Sequence, residues 1–445
     1  MERGGTTAAT PPSQTPSLRR VAALALPTLV VLAAEPLYLL VDTAVVGHLG
    51  RVELAALALG GGVLAIAVWL GNVLAYGTTG RAARQFGAGD RSEAVIEGVQ
   101  ASWLAIVAGL TMALLAQVGA GPIIRMLAGG ETDVAVAATG WLRIAAWGAP
   151  GLLLAMAGNG WMRGIQDTRR PLRYVVGANA LSAVLCPVLV YPVGLGLTGS
   201  AIANVTAQTL GGLLFVRALL AERVPLAPHP ARLRRQVVVG RDLLIRGAAF
   251  QACFLSAAAV VARYGPAALG AHQIAFQLWM FCALALDALA IAAQALVGAA
   301  LGAGAATQAR HTARRIGWIG GLSGLALGVV IAAGTTLIPA LFTSDPQVRA
   351  AALIAWPWFA VMQPIAGVVF ALDGVLIGAG DVRFLRDLTV VAALGFFLPA
   401  IWLSYLAGLG LGGVWAGLTL FVVVRLAGLL GRVRGTRWAV VGAAR

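Results

Sequence analysis

Four carboxylates in this chain stand inside segments otherwise apolar enough to cross a bilayer. Glu35 and Asp42 lie in EPLYLLVDTAVVGHLG, residues 35–50, while Asp287 and Asp373 lie far downstream in two further apolar runs. A carboxylate in hydrocarbon costs about 2.5–3.5 kcal/mol even on the lenient insertion scales. Such residues therefore mark ion, proton or substrate routes by default. Seven residues at about 100° each leave Glu35 and Asp42 roughly 20° apart, on one helix face. Asp42 reads as a proton-binding carboxylate, the type of group that changes charge when it moves between environments. Asp287 and Asp373 read as candidates for binding a cation or a cationic substrate. Glu35 is either a second proton group or a structural partner for Arg143.

The elements that hold these acids follow from composition. The 445 residues are 60% hydrophobic and only 11% charged, with a mean hydropathy of +0.87. Soluble domains carry about 25% charged residues, so this is a polytopic membrane protein. The net charge of +15 does not indicate a nucleic-acid partner, because the basic residues sit in short loops between apolar runs. There they orient the chain and face anionic lipid. Cys186, Cys253 and Cys282 fall inside apolar segments without metal-ligand spacing, so neither a disulfide framework nor a metal site is expected. Residues 1–17 form a polar tail, and the Arg19-Arg20 pair leads into a run too long for a signal peptide, expected to stay as an uncleaved first helix.

Runs of spanning length fall near 21–46, 54–78, 99–121, 136–158, 172–193 and 199–220. A second set falls near 243–263, 267–297, 316–338, 350–377, 388–407 and 410–431. The expected fold is all-α with twelve transmembrane helices in two pseudo-symmetric six-helix bundles. The lobes are placed at 18–220 and 241–433, joined by a linker at 221–240 whose Pro225, Pro228 and Pro230 stiffen it, with a basic tail at 434–445. All 32 basic residues are arginine. They concentrate in the first tail, the even-numbered loops and the C-terminal end. The odd-numbered loops hold only Arg51, Arg125, Arg263 and Arg349, and Arg143 lies in the fourth run. The positive-inside rule then places both termini in the cytoplasm.

The halves repeat. Gly87-Ala88-Gly89 recurs as Gly302-Ala303-Gly304, 215 residues on, and Gly164 and Asp167 recur as Gly378 and Asp381, 214 on. Six helices per half give both halves one orientation, and such repeats belong to carriers whose bundles rock about a site. Under these offsets Asp287 matches Asn72 and Asp373 matches Asn159, whereas Asp42 matches Ala257. Most intramembrane amides, such as Asn159 and Asn204, serve helix-to-helix hydrogen bonding. Gln251 and Gln277 stand with Asp287 and Asp373 as candidate substrate- or cation-binding side chains. No Walker pattern, HExxH or serine-nucleophile motif is present, so no catalytic residue is assigned and no enzyme is expected.

LVDTAVVGHLG from Leu40, RQFGAGDR from Arg84, RGIQDTRRPL from Arg163 and LGAHQIAFQLW from Leu269 are joined by LDALAIAAQALVG from Leu286 and LDGVLIGAGDVRFLR from Leu372. Together, in this order over roughly 18–430, they resemble the MATE (multidrug and toxic compound extrusion) transporters, in their DinF-like branch. The resemblance implies an antiporter that exports organic, often cationic, amphiphilic compounds across a bacterial cytoplasmic membrane in exchange for protons. It implies a monomer with a small-molecule substrate, a lipid environment, no nucleic acid and no cofactor beyond the coupling ion. Sodium coupling and a lipid-linked precursor flippase of related fold are the alternatives. The family's first-helix acid falls on Asp42, within a network that includes the fifth helix and so Asn179. Ser182 and Cys186 occupy positions where that helix usually carries an amide and an acid, which leaves Glu35 as a substitute partner. The family's tenth-helix acid, which other branches use for a cation, falls on Asp373.

Overall fold

The computed structural model describes residues 16–443. Residues 1–15, most of the expected polar tail, and residues 444–445 fall outside them. Among the described residues there is no strand, and eleven helices are long and apolar enough to cross a bilayer. They are α1 (Leu18–Gly47), α2 (Arg51–Gly87), α3 (Arg91–Leu127), α6 (Arg169–Val190), α7 (Gly196–Ala221) and α8 (Pro230–Ala262). The series continues with α9 (Pro266–Gly302), α10 (Ala306–Ala333), α12 (Pro346–Gly378), the run Val382–Leu406 and α15 (Gly410–Arg434).

The expected fourth span is made of two pieces. α4 (Thr132–Ala145) and α5 (Ala149–Gly164) join through a 3₁₀ turn at Ala146–Gly148. Pro150 stands just after this turn, and its missing N–H cannot close the ordinary helical bond there. A second proline acts likewise in Val382–Leu406, where α13 (Val382–Val391) reaches α14 (Leu398–Leu406) through a π-helical segment at Ala392–Phe397. Pro399 has no N–H for the Gly395 carbonyl, and the widened turn relieves that clash. α11 (Leu337–Phe342) is a short helix between α10 and α12. Pro27 and Pro36 lie inside α1, which nevertheless runs unbroken to Gly47.

The internal repeat extends to individual hydrogen bonds. α2 ends with Gly89 N–H donating to the Phe86 carbonyl and Asp90 N–H to the Gln85 carbonyl; α9 ends with Gly304 N–H to Leu301 and Ala305 N–H to Ala300. Both are Schellman caps, and Gly89 (φ +87°) and Gly304 (φ +78°) supply the left-handed residue the cap requires. These ends also meet reciprocally. A Cβ on Gly87 would strike the Ala299 carbonyl, and one on Gly302 would strike the Arg84 carbonyl.

Two compact units divide the described chain. One comprises Leu24–Ala82 with Val95–Ala248; the other comprises the segment through Ala23, Ala83–Ala94 and everything from Ala249 onward. In the first, α7 packs against α4, α5 and α6; in the second, α12 packs against α9, α10 and α15. Glycines let backbones touch in both. Gly151 lies on the Gln208 carbonyl, Gly320 and Gly367 lie on each other, and Gly374 lies on the Ala290 carbonyl. Without a hydrophobic drive between helices in lipid, such close approach is what holds them.

Arg84, at the end of α2, is buried in the second unit. Its guanidinium donates to the carbonyls of Ala379 (2.7 Å) and Gly378 (3.4 Å) at the end of α12. It also donates to those of Val440 (3.0 Å) and Gly442 (2.9 Å) beyond α15. Gly442 N–H returns a bond to Leu301 at 3.0 Å, and Trp438 is buried. Residues 438–442 are thereby strapped to the ends of α2, α9 and α12.

Gly374→Ala is expected to destabilise the protein by about 1–3 kcal/mol, because backbone cannot retreat from the added methyl. Gly61→Ala, where a Cβ meets nothing within 4 Å, should be neutral or gain up to about 1 kcal/mol from helix propensity. Thermal unfolding in detergent, followed by tryptophan fluorescence, distinguishes the two.

Candidate coupling site

Asp42 lies five residues before the end of α1, and 1% of its surface is exposed. Its Oδ1 accepts from the Ser200 hydroxyl at 2.7 Å and from the Cys186 thiol at 3.1 Å. Ser200 is in the first turns of α7 and Cys186 near the end of α6, so three helix ends meet on one carboxylate oxygen. Glycine makes this meeting fit. A Cβ on Gly199 would stand 2.8 Å from the Leu189 carbonyl carbon, so the start of α7 touches the backbone of α6. Tyr191, just past α6, closes the other side by donating its hydroxyl to the Val45 carbonyl at 2.6 Å. The Ser200 oxygen is also an acceptor, receiving the Trp141 indole N–H of α4 at 3.3 Å. Tyr38, one turn before Asp42, and Ser182, one turn before Cys186, are buried as well.

No basic side chain pairs with Asp42 among the described residues. It is held by neutral donors in a buried site, and nothing nearby fixes its charge. The other proton-site candidates are not gathered there. Glu35 is half-buried and makes no hydrogen bond or ion pair among the described residues, with Asp42 or with Arg143, which is exposed. Asn179 turns its amide back to the Val175 carbonyl of its own helix at 2.9 Å. Cys186, at the position of the missing acid, is the fifth-helix group that reaches Asp42.

The second unit contains a different arrangement. Asp373 of α12, 5% exposed, accepts from the Arg425 guanidinium of α15 at 2.6 Å, and Arg425 itself is 3% exposed. The guanidinium carbon lies 4.9 Å from the centre of the Phe250 ring and 5.7 Å from that of Phe421, within cation–π range. Asp287 of α9 is half-buried, and Gln251 and Gln277 are exposed on α8 and α9. One arginine of the C-terminal group expected to orient the chain is placed differently: Arg425 is buried and pairs with Asp373.

The MatE family profile matches residues 27–188 and 243–406, one match in each half of the repeat. The chain belongs to the MATE transporter family. Members of this family are membrane-embedded transporters of small molecules and not enzymes. It is 33% identical over 419 residues to Protein DETOXIFICATION 44, chloroplastic, of Arabidopsis thaliana, covering 91% of this chain and 80% of that protein. It is 33% identical over 417 residues to DNA damage-inducible protein F of Escherichia coli (strain K12), covering 90% and 89%. The DinF-like placement follows from that likeness. Among solved structures, an outward-facing multidrug resistance MATE transporter superposes with a TM-score of 0.84 at 22% identity, covering 94% of this chain and 96% of that one. That match is one of fold.

Within this MATE transporter, sequence reasoning missed Ser200, Trp141 and Arg425. Arg425 carried a usable signal, a lone arginine seven residues before the Arg432 cluster and inside an apolar run. Ser200 and Trp141 carried none, since a serine opening a helix and a tryptophan in an apolar run are ordinary.

Arg425→Ala leaves a buried carboxylate without its base, a class of change that costs about 3–5 kcal/mol. Arg425→Met with Asp373→Leu, which removes both charges, is expected to recover most of that loss. Thermal midpoints of the single and double variants, taken as a double-mutant cycle, check it.

Proposed function

We propose that this MATE transporter is a proton-coupled exporter of organic, often cationic and amphiphilic compounds. It works as a monomer by alternating access of its two lobes, in a bacterial cytoplasmic membrane with both termini cytoplasmic. The observation that carries the reading is the state of Asp42: a buried carboxylate held by a hydroxyl and a thiol, with no base pairing with it among the described residues. A proton is the smallest species that can cancel such a charge without rearranging its neighbours. Ionised Asp42 favours a cationic ligand in the transport pathway. Protonation from outside removes that attraction, lets α1 relax about Pro27 and Pro36, and releases the ligand. The two protonation states need only bind the cargo differently for coupling to follow.

Asp373 is what favours protons over sodium. A carboxylate recruited for a free cation needs its charge available, and here a guanidinium 2.6 Å away already occupies that role. The multidrug reading of the cargo draws on relatives such as the probable multidrug resistance protein NorM of Bradyrhizobium diazoefficiens, 29% identical over 435 residues, covering 92% of this chain and 91% of that one.

Asp42→Asn, which keeps the shape and an acceptor but cannot ionise, should reduce drug resistance of a sensitive host to the level of the empty host. In vesicles, efflux of an ethidium-like dye should follow an imposed proton gradient and ignore a sodium gradient. Undiminished export by Asp42→Asn removes Asp42 from coupling, and efflux driven by sodium alone overturns the choice of ion.

A further inference from the structure

Beside the Asp42 cluster, in the same unit, lies a cavity of about 340 Å³. Its walls come from Leu49 after α1, Glu53 in the first turn of α2, Gly140 and Trp141 of α4, and Thr198 in the first turn of α7. Leu49, Glu53 and Thr198 sit at helix ends joined by odd-numbered loops, and Gly140 and Trp141 lie in the half of the α4–α5 span nearer such a loop. On the topology proposed above, that is the outer face, the side from which the coupling proton comes.

Trp141 connects this cavity to the carboxylate. The ring lines the cavity and is itself 4% exposed, and its N–H donates to Ser200, whose hydroxyl donates to Asp42. A single indole thus stands between the cavity and the hydroxyl on Asp42. The indole N–H is a donor only and has no lone pair with which to receive a proton, so Trp141 cannot itself relay one. A serine hydroxyl can, because it donates one proton and accepts at two lone pairs. Ser200 is fully buried here and is not part of the cavity's wall, which Trp141 forms beside it. The ring is also well seated, since its six-membered edge lies 2.6 Å from where a Cβ on Gly60 would be.

We propose that this cavity is the external proton port for Asp42 and that Trp141 is its shutter. The inference rests on the coupling role of Asp42. When the indole withdraws from Ser200, a protonated water from the cavity takes its place. That water passes a proton to the Ser200 oxygen as the proton already on Ser200 moves to Asp42 Oδ1. One hydronium becomes water, one carboxylate becomes a carboxylic acid, and Ser200 is regenerated. Glu53, the one acid of the lining, concentrates protons at the mouth. The other charged or titratable residues on the segments around it, His48, Arg51, Glu131 and Asp133, form no ion pair with it among the described residues.

The test uses the full chain in proteoliposomes with a pH-sensitive dye inside and no substrate. Trp141→Phe keeps a ring on Gly60 but loses the N–H latch, and it should admit protons severalfold faster than wild type at an unchanged thermal midpoint. Glu53→Gln should slow proton-driven dye exchange severalfold without changing the dye's binding affinity. Thr198→Cys should lose proton uptake when an impermeant thiol reagent is added outside, with the wild-type chain and its buried Cys186 unaffected. Folded Trp141→Phe that is as tight as wild type, together with full proton uptake by labelled Thr198→Cys, overturns the port. Asp42→Asn separates the two levels: if it still exports, the coupling reading falls, and if it alone fails while these three variants behave as wild type, only the port falls.

Discussion

An ionised side chain surrounded by hydrocarbon has to be balanced by an opposite charge, reached by water, or discharged, and this chain treats its acids in contrasting ways. Asp373 is balanced. Arg425 meets it in a buried pair, and two phenylalanine faces cover the cation. Such a pair adds little net stability relative to an apolar replacement, yet it resists the loss of either member. Asp42 has only dipoles around it, a hydroxyl and a thiol, and those tolerate its neutral and charged forms in turn. The first arrangement fixes a charge and the second leaves one adjustable. The transport reading depends on that difference.

The internal repeat makes the contrast sharper. Helix ends, caps and even reciprocal glycine contacts recur between the halves, whereas the chemistry does not. At the repeat offsets, Tyr38, Asp42, Cys186 and Ser200 correspond to Cys253, Ala257, Ala400 and Val414. In the opposite direction, Asp373 and Arg425 correspond to Asn159 and Gly211. At these positions the second half carries an acid and a base that pair, while the first half carries Asp42 with a hydroxyl and a thiol. The two halves share an architecture and differ in electrostatics at a few positions.

Most of the fold was legible because its causes are local. Spanning length, arginine-rich loops and the Gly-Ala-Gly turns each act within a few residues, so the sequence displays them directly. The division of the fourth span around Pro150 and the π segment before Pro399 follow from the same missing N–H, though only coordinates show which distortion the helix adopts. The acid of the site was legible for its cost in lipid, and Cys186 was recognised as standing at an acid's position. Its partners were not. Ser200 and Trp141 approach Asp42 across 158 and 59 residues from Asp42 and Ser200 respectively, and no periodicity encodes such a meeting. Glu35 shares a helical face with Asp42, yet two turns of separation are enough to leave it apart. Face sharing is a necessary condition for contact, not a sufficient one.

The strap formed by residues 438–442 changes how the far end of the chain should be regarded. Val440 and Gly442 offer their carbonyls to a buried guanidinium, so they act as ligands in the interior and not as a loose end. Clipping the chain after α15 would remove two of the carbonyls to which the buried Arg84 donates. Purification handles and reporter fusions attached close behind Gly442 would pull on that same buried contact. A spacer long enough to leave it slack is part of handling this molecule.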